Sequence, residues 1–212
     1  MIDRILPAAV KVVSSRTDPP EAVLFAEEAA LVTTAVPKRR QEFTTVRHCA
    51  RLALASLDVP PAPILPGVRG APVWPSGIVG SMTHCAGYRA AAVARTTACS
   101  GVGIDAEVDG PLPEGVLDLV SSEEERAHLA SLAESDPGVQ WERLLFSAKE
   151  SVYKVWSPRT GRWLGFEEAA LTFDPAASTF TARILVDGPF ETLTGRFLIE
   201  DGIVLTAIAC AA

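Results

Sequence analysis

Two carboxylates stand two positions apart in the run Gly101-Val-Gly-Ile-Asp105-Ala-Glu107, where Val and Ile alternate with small residues as in a strand. Alternation puts Asp105 and Glu107 on one face. Acids held that close repel and raise each other's pKa unless a positive charge comes between them, and a hard divalent cation prefers such oxygen donors. A solvated strand end has the same spacing, so the pair alone leaves both readings open. A second set lies in Phe146-Ser-Ala-Lys149-Glu150-Ser-Val-Tyr-Lys154. On a helix turning about 100° per residue, Lys149 falls in the apolar stripe of Leu145, Val152 and Trp156, with Glu150 on its flank beside Arg143 and Lys154. A buried ammonium must reach water or meet an anion, whether phosphate or carboxylate. Glu150 and Lys154 also have the spacing of an ordinary surface ion pair.

Cations gather upstream, at Lys38, Arg39, Arg40, Arg47 and Arg51. Arg40, Arg47 and Arg51 line one narrow helical stripe, and Arg39 projects from the apolar side near the helix start. Arginine forks match phosphate oxygens and a helix start adds its positive end, although a solvated basic face reads the same way. Ser81-Met-Thr83-His84-Cys85 follows a strand candidate. His84 can donate to a phosphate, act as a base, or be structural; with Cys85 it lacks further ligands at zinc spacing. No phosphate-binding GxxxxGK[ST], GxSxG or HExxH motif occurs. Acids for a metal and cations for phosphates, spread over both halves, point to a phosphorylated ligand between them.

The elements that must position these groups fall into two similar series. Apolar spacing through Phe43, Val46, Ala50, Leu54 and Leu57 predicts a helix over 37–57, closed by Pro60-Pro61. Strands are expected at 77–80, 88–95 and 100–107, together a small antiparallel meander. A second helix over about 140–156 precedes strands near 170–173, 180–186, 196–199 and 203–210, with Asp201-Gly202 as a hairpin turn. Residues 1–36 carry a Pro19-Pro20 break and one short helix around Glu27-Glu28. The expected organisation is an N-terminal lobe 1–108, a linker with an exposed helix 109–139 and a C-terminal lobe 140–212. This is an α+β fold of two similar lobes related by a pseudo-twofold axis, each a helix packed on an antiparallel sheet, with a site between them.

Composition limits the alternatives. The 212 residues are 48% hydrophobic and 21% charged, an ordinary globular balance that argues against disorder. A net charge of -7 argues against a nucleic-acid surface. No apolar stretch reaches the roughly 20 residues of a membrane helix, and no signal pattern opens the chain. Cys49, Cys85, Cys99 and Cys210 form no CxxC pair, as expected of reduced thiols in a cytoplasmic protein. A chain that makes its own interlobe site is expected to act as a monomer.

The ordered set Ser81–Cys85, Gly101–Glu107 and Phe146–Lys154, with Arg39-Arg40 and Val46–Arg51 upstream, resembles the 4'-phosphopantetheinyl transferases from about Arg39 to the C-terminus. It is most similar to their actinobacterial, siderophore-synthase-related branch. The resemblance implies an enzyme that moves the phosphopantetheine arm of coenzyme A onto a serine of apo acyl or peptidyl carrier proteins, in lipid, polyketide or siderophore assembly, releasing adenosine 3',5'-bisphosphate. It implies magnesium, or manganese, held by Asp105, Glu107 and Glu150 and bound also to the pyrophosphate. Arg39 and Arg47 would grip the 3'-phosphate, Arg69 and Gly70 the nucleotide, Thr83 and His84 the phosphates, and Lys149 and Lys154 the pyrophosphate. Glu150 would be the base, with Lys149 and His84 beside it in catalysis. Phe146 stands where the family often has Trp and Ser151 where it has Ala. Pro66 stands where relatives tend to place a lysine, so its 3'-phosphate contact is lost or moved to Arg69. Two rivals use the same residues: a metal-dependent nucleotide phosphohydrolase, and a non-catalytic module binding coenzyme A or a carrier domain. The second would be expected to lack a metal acid.

Overall fold

The computed structural model describes all residues, Met1–Ala212. A short 3-10 helix, Ile2–Ile5, leads into β1 (Lys11–Ser15), α1 (Ala26–Ala30) and the long α2 (Pro37–Ala55). Proline at the first turn of α2 pre-sets the helix, since the N–H it lacks would have no partner there. The hairpin β2 (Ile78–Cys85) and β3 (Tyr88–Arg95) follows, then β4 (Cys99–Val108), α3 (Val116–Val120), α4 (Glu123–Ser135) and α5 (Trp141–Thr160). Four strands end the chain: β5 (Ala169–Asp174), β6 (Thr179–Ile184), β7 (Thr192–Glu200) and β8 (Ile203–Ala211). No helix is long and apolar enough to cross a membrane.

The strands form two antiparallel sheets, one in the order β1-β3-β2 and one in the order β4-β8-β7-β6-β5. This corrects the expected meander and the boundaries drawn around it. β4 pairs along its length with β8, from Cys99↔Ala211 to Val108↔Ile203, and so belongs with the C-terminal elements instead of the lobe 1–108. The repeat unit therefore begins with a strand: β1-α2-β2-β3 is answered by β4-α5-β7-β8, in the same sheet order, and β6-β5 extends the second sheet. The fold is α+β, two similar lobes about a pseudo-twofold. The intervening 109–139 is not a free linker, because Glu125 and Leu129 of α4 are buried against the second lobe.

The first sheet and the β4–β8 side of the second are covered on both faces, whereas β5 and β6 alternate buried and exposed residues. In β3, Ala91 and Val93 face α2 with Cys49, Ala50 and Leu54, whereas Ala90, Ala92 and Ala94 face the other sheet with Ile104, Ala106, Leu205 and Ala207. Short side chains on both faces keep the layers close. Over the second sheet α5 packs Leu144, Leu145, Ala148, Val152 and Trp156. Its approach to β4 depends on glycine: a Cβ on Gly103 would lie 2.1 Å from the Ser151 carbonyl oxygen. β4 also borders β2 through side chains. Ser81 Oγ accepts from Ile104 N at 3.1 Å and Thr83 Oγ1 from Ala106 N at 3.0 Å, two hydroxyls standing in for ladder carbonyls.

Candidate active site between the lobes

The cleft beside this seam has a volume of about 400 Å³. α5 contributes Glu150, Tyr153 and Lys154, α2 contributes Arg39, Phe43 and Arg47, and β2 contributes His84. The loop ahead of β2 adds Arg69 and Gly70, both in left-handed conformation at φ 54 and 76. That turn suits Gly70 and strains Arg69, whose Nε crosses to the Gly161 carbonyl at the end of α5, 3.2 Å away. His84 lies within β2 and not after a strand as expected.

On the cationic wall, Arg39 donates to His84 Nε2 at 2.5 Å, which leaves the ring proton on Nδ1, toward Glu42 at 3.5 Å. Burial, then Arg39, pushes the His84 pKa below the ordinary histidine value, so the ring stays neutral. Arg47 lies over the Phe43 ring, 3.3 Å from its centroid, and donates to the Ile64 carbonyl. Burial lowers its pKa to about 10, so it remains charged at neutral pH. Its countercharge is Glu28, buried in α1, which also accepts from Arg51 and from the Ile64 and Phe25 N–H groups.

The acids stand on β4 and α5, and of them Glu150 lines the cleft. Asp105 is 4% exposed; its Oδ1 accepts from Lys154 at 2.8 Å and from Thr83 at 3.1 Å, while its buried Oδ2 has no partner. Glu107 is met by Arg143 at 3.2 Å, yet burial and the Asp105 carboxylate push its pKa up to about 7. Burial also raises Glu150, which Lys154 partly offsets. As the side chains stand, no group of three converges closely enough to hold a metal, because Asp105 turns to Lys154 and Glu107 to Arg143. The donor set nonetheless fits a hard divalent cation: three carboxylates, one buried oxygen unpaired and two acids shifted toward protonation.

Two residues sit elsewhere than the resemblance implied. Thr83 lies beneath the cleft with its hydroxyl on Asp105, so it braces the acid instead of meeting a phosphate. Lys149 is 4% exposed and binds Glu125 at 2.8 Å and the Phe166 carbonyl at 2.7 Å. It took the carboxylate of the two anions its sequence position left open. Arg39, Arg47, Arg69, Gly70, His84, Glu150 and Lys154 do share the cleft. Sequence reasoning missed Glu125, although Ser122 and Glu125 form a capping box, and it gave no role to Glu28 or Arg143, whose charged partners are far away in the chain.

The family model for the 4'-phosphopantetheinyl transferase N-terminal domain matches residues 27–94, and that for the 4'-phosphopantetheinyl transferase superfamily matches 101–206. The chain belongs to the 4'-phosphopantetheinyl transferase superfamily. It is 55% identical to the 4'-phosphopantetheinyl transferase Svp of Streptomyces mobaraensis, over 100% of this chain and 90% of that one. It is 52% identical to PptT of Mycobacterium tuberculosis, over 91% of this chain and 88% of the relative. With Npt of Nocardia iowensis it shares 48% identity over 100% of both. As a member of this transferase superfamily the chain is an enzyme, a 4'-phosphopantetheinyl transferase. The boundary between the two matches falls at the β3–β4 turn, where the repeat of the sheets also divides.

Proposed function

We propose that this 4'-phosphopantetheinyl transferase moves the phosphopantetheine arm of coenzyme A to a serine of an apo acyl or peptidyl carrier protein. The observation that carries this reading is one interlobe cleft lined by three arginines, Glu150 and Lys154, with the Lys154 ammonium bound to buried Asp105, whose second carboxylate oxygen is unpaired. Asp105, Glu107 and Glu150 would hold magnesium or manganese, which when bound supplies Lewis-acid neutralisation of the pyrophosphate. Arg39, Arg47 and Arg69 bind the nucleotide phosphates, with neutral His84 orienting Arg39. Lys154, already on Asp105, lies on the pyrophosphate side. Lys149 supports the site from behind, by fixing α5 at Glu150.

The carrier serine Oγ bonds to the β-phosphorus as the bond from that phosphorus to the bridging oxygen breaks, leaving adenosine 3',5'-bisphosphate. Glu150 takes the serine proton, directly or through a water; its raised pKa suits a base that must hold it. Phosphoryl transfer of this kind depends mainly on positioning and charge neutralisation. The acceptor docks near the end of α5, where Arg159 and Arg162 are exposed and Trp163, 59% exposed, packs on Tyr153. An acidic carrier would be attracted there despite the negative net charge, and its docking should weaken as salt rises. The four cysteines are free, in keeping with a cytoplasmic enzyme, and one chain forms the whole cleft, in keeping with a monomer.

Purified protein, coenzyme A and an apo carrier, with magnesium or with EDTA, test the reading by intact mass. A magnesium-dependent gain of one phosphopantetheine on the carrier is expected. Coenzyme A binding without any gain across several carrier types would sink it.

A further inference from the structure

Arg143 lies outside the cleft lining, yet it makes the side-chain hydrogen bond that holds Glu107. Its side chain is mostly buried, at 16% exposed, and carries three bonds. Nε donates to the Gly110 carbonyl at 3.1 Å and Nη2 to the Pro111 carbonyl at 2.5 Å, while Nη1 reaches Glu107 Oε2 at 3.2 Å. Two of the three go to backbone just past β4, so the planar fork is fixed independently of the acid it meets. The third engages one carboxylate oxygen and leaves Oε1 without a side-chain partner. A carboxylate gripped by one oxygen keeps a single orientation and offers the other, the service that outer partners give to metal-ligating acids. Lys154 on Asp105 is different: its single ammonium lines the cleft on a flexible stem and is able to turn to an incoming anion. On α5, Arg143 stands two turns ahead of Glu150 on the same helix face. The helix thus presents one acid of the set directly and steadies another, on β4, through its arginine.

We infer that Arg143 is a positioning residue for the divalent cation: it fixes Glu107 through Oε2 so that Oε1 is left to the metal. It acts through Glu107 alone and touches neither the nucleotide nor the carrier. Its charge also opposes a nearby cation, and the two carbonyl dipoles that it faces offset part of that repulsion. The inference rests on the assignment of Asp105, Glu107 and Glu150 to a metal, proposed above.

The test follows free Mn2+ by its electron paramagnetic resonance signal as the whole chain is titrated in saturating coenzyme A, without a carrier, so that nothing turns over. Coenzyme A alone is the blank. Arg143→Gln should raise the Kd for Mn2+ by about 10- to 100-fold. Arg143→Lys keeps a charge but cannot span three acceptors in fixed directions, and should recover only part of that loss. The deciding step is a cycle with Glu107→Gln: once the acid is gone, Arg143→Gln should weaken Mn2+ binding no further. A residue that merely held the Gly110-Pro111 turn would weaken binding equally in both backgrounds. Unchanged or tighter Mn2+ binding in Arg143→Gln, or the same loss with and without Glu107, overturns the inference. Urea unfolding shows which variants fold; should Arg143→Gln fail, unweakened binding in Arg143→Lys overturns it instead. The metal assignment falls separately, if Glu107→Gln binds Mn2+ as tightly as the unaltered protein.

Discussion

The two lobes share a connectivity and a buried device but meet the cleft with opposite charge. In the first, the glutamate Glu28 of the short α1 accepts from the Phe25 N–H, from Ile64 N and from Arg51 of α2, and pairs with the charge of Arg47. In the second, Glu125 of α4 accepts from Ser122 N, from Leu171 N and from Lys149 of α5. Each carboxylate thus ties a short helix, the long helix and the segment beyond it into one unit. The exposed ends of these ties then diverge. Arg47 reaches the cleft from its hub, whereas Lys149 is consumed by Glu125 and leaves the wall to Glu150 and Lys154, with Asp105 bound behind Lys154. A repeated scaffold has become a cation-bearing side facing an acid-bearing one, the arrangement that the proposed diphosphate and metal would require.

The division should appear first in kinetics. Asp105→Ala removes the acid that holds Lys154 and Thr83, and turnover with coenzyme A and an apo carrier should fall by about 10³-fold or more at saturating substrate. Arg47→Ala should instead raise KM for coenzyme A by about tenfold with a small change in kcat, since in the proposed role it would hold the nucleotide alike in ground and transition states. Equal effects of the two substitutions on kcat would dissolve the contrast between the walls. The hubs come next. Glu28→Gln and Glu125→Gln each strand a buried cation and should destabilise by about 3 kcal/mol in urea unfolding. Only Glu28→Gln should also weaken nucleotide affinity, because Arg47 alone among the tied cations lines the cleft. If Glu125→Gln weakened it equally, Lys149 would belong to the ligand after all.

Much of this was legible in the residues. Helical spacing found α2 and α5, and Asp201-Gly202 marked the last turn, because these signals are local. The cations and acids of the cleft stood out by type. What failed was nonlocal: the alternation of β4 says which face Asp105 and Glu107 share but not which strand takes its ladder, and that partner, β8, is about a hundred residues on. Ser81 and Thr83 look like ordinary strand residues until β4 lies beside them. β1 escaped notice because Lys11–Ser15 is short and its polar positions blur the pattern. For Lys149, an anion was required by burial, but carboxylate and phosphate satisfy the same electrostatics, and only the position of α4 decides between them.

The helices also seat differently, and glycine tests that. α2 packs against Val13 of β1, while α5 closes onto Gly103 of β4. Gly103→Ala should cost about 3 kcal/mol, because its Cβ meets backbone, the Ser151 carbonyl oxygen at 2.1 Å. Gly101→Ala meets side chains, Val155 at 3.2 Å and Cys210 at 3.9 Å, and should cost less than about 1 kcal/mol. Similar losses for both would mean that the approach of α5 is set elsewhere.

The smallest effect concerns the acid wall without its metal. Glu107 has a folded pKa of about 7 against an ordinary 4.5, so between those values the folded chain binds more protons than the unfolded one. Stability in EDTA should therefore fall as pH rises through that window and stay at its lower level above it. With Glu107 25% exposed, solvent screening reduces the effect to about 1–2 kcal/mol between pH 5 and 8. Magnesium should flatten the slope, since a cation at the carboxylates favours their ionised form. The cation wall contributes no such slope, as Arg47 stays protonated throughout at about 10. Urea unfolding at several pH values, with EDTA and with magnesium, separates the cases: a flat profile in EDTA would show that Arg143 and Lys154 already neutralise the acids, and the two walls would then differ in sign but not in unmet charge.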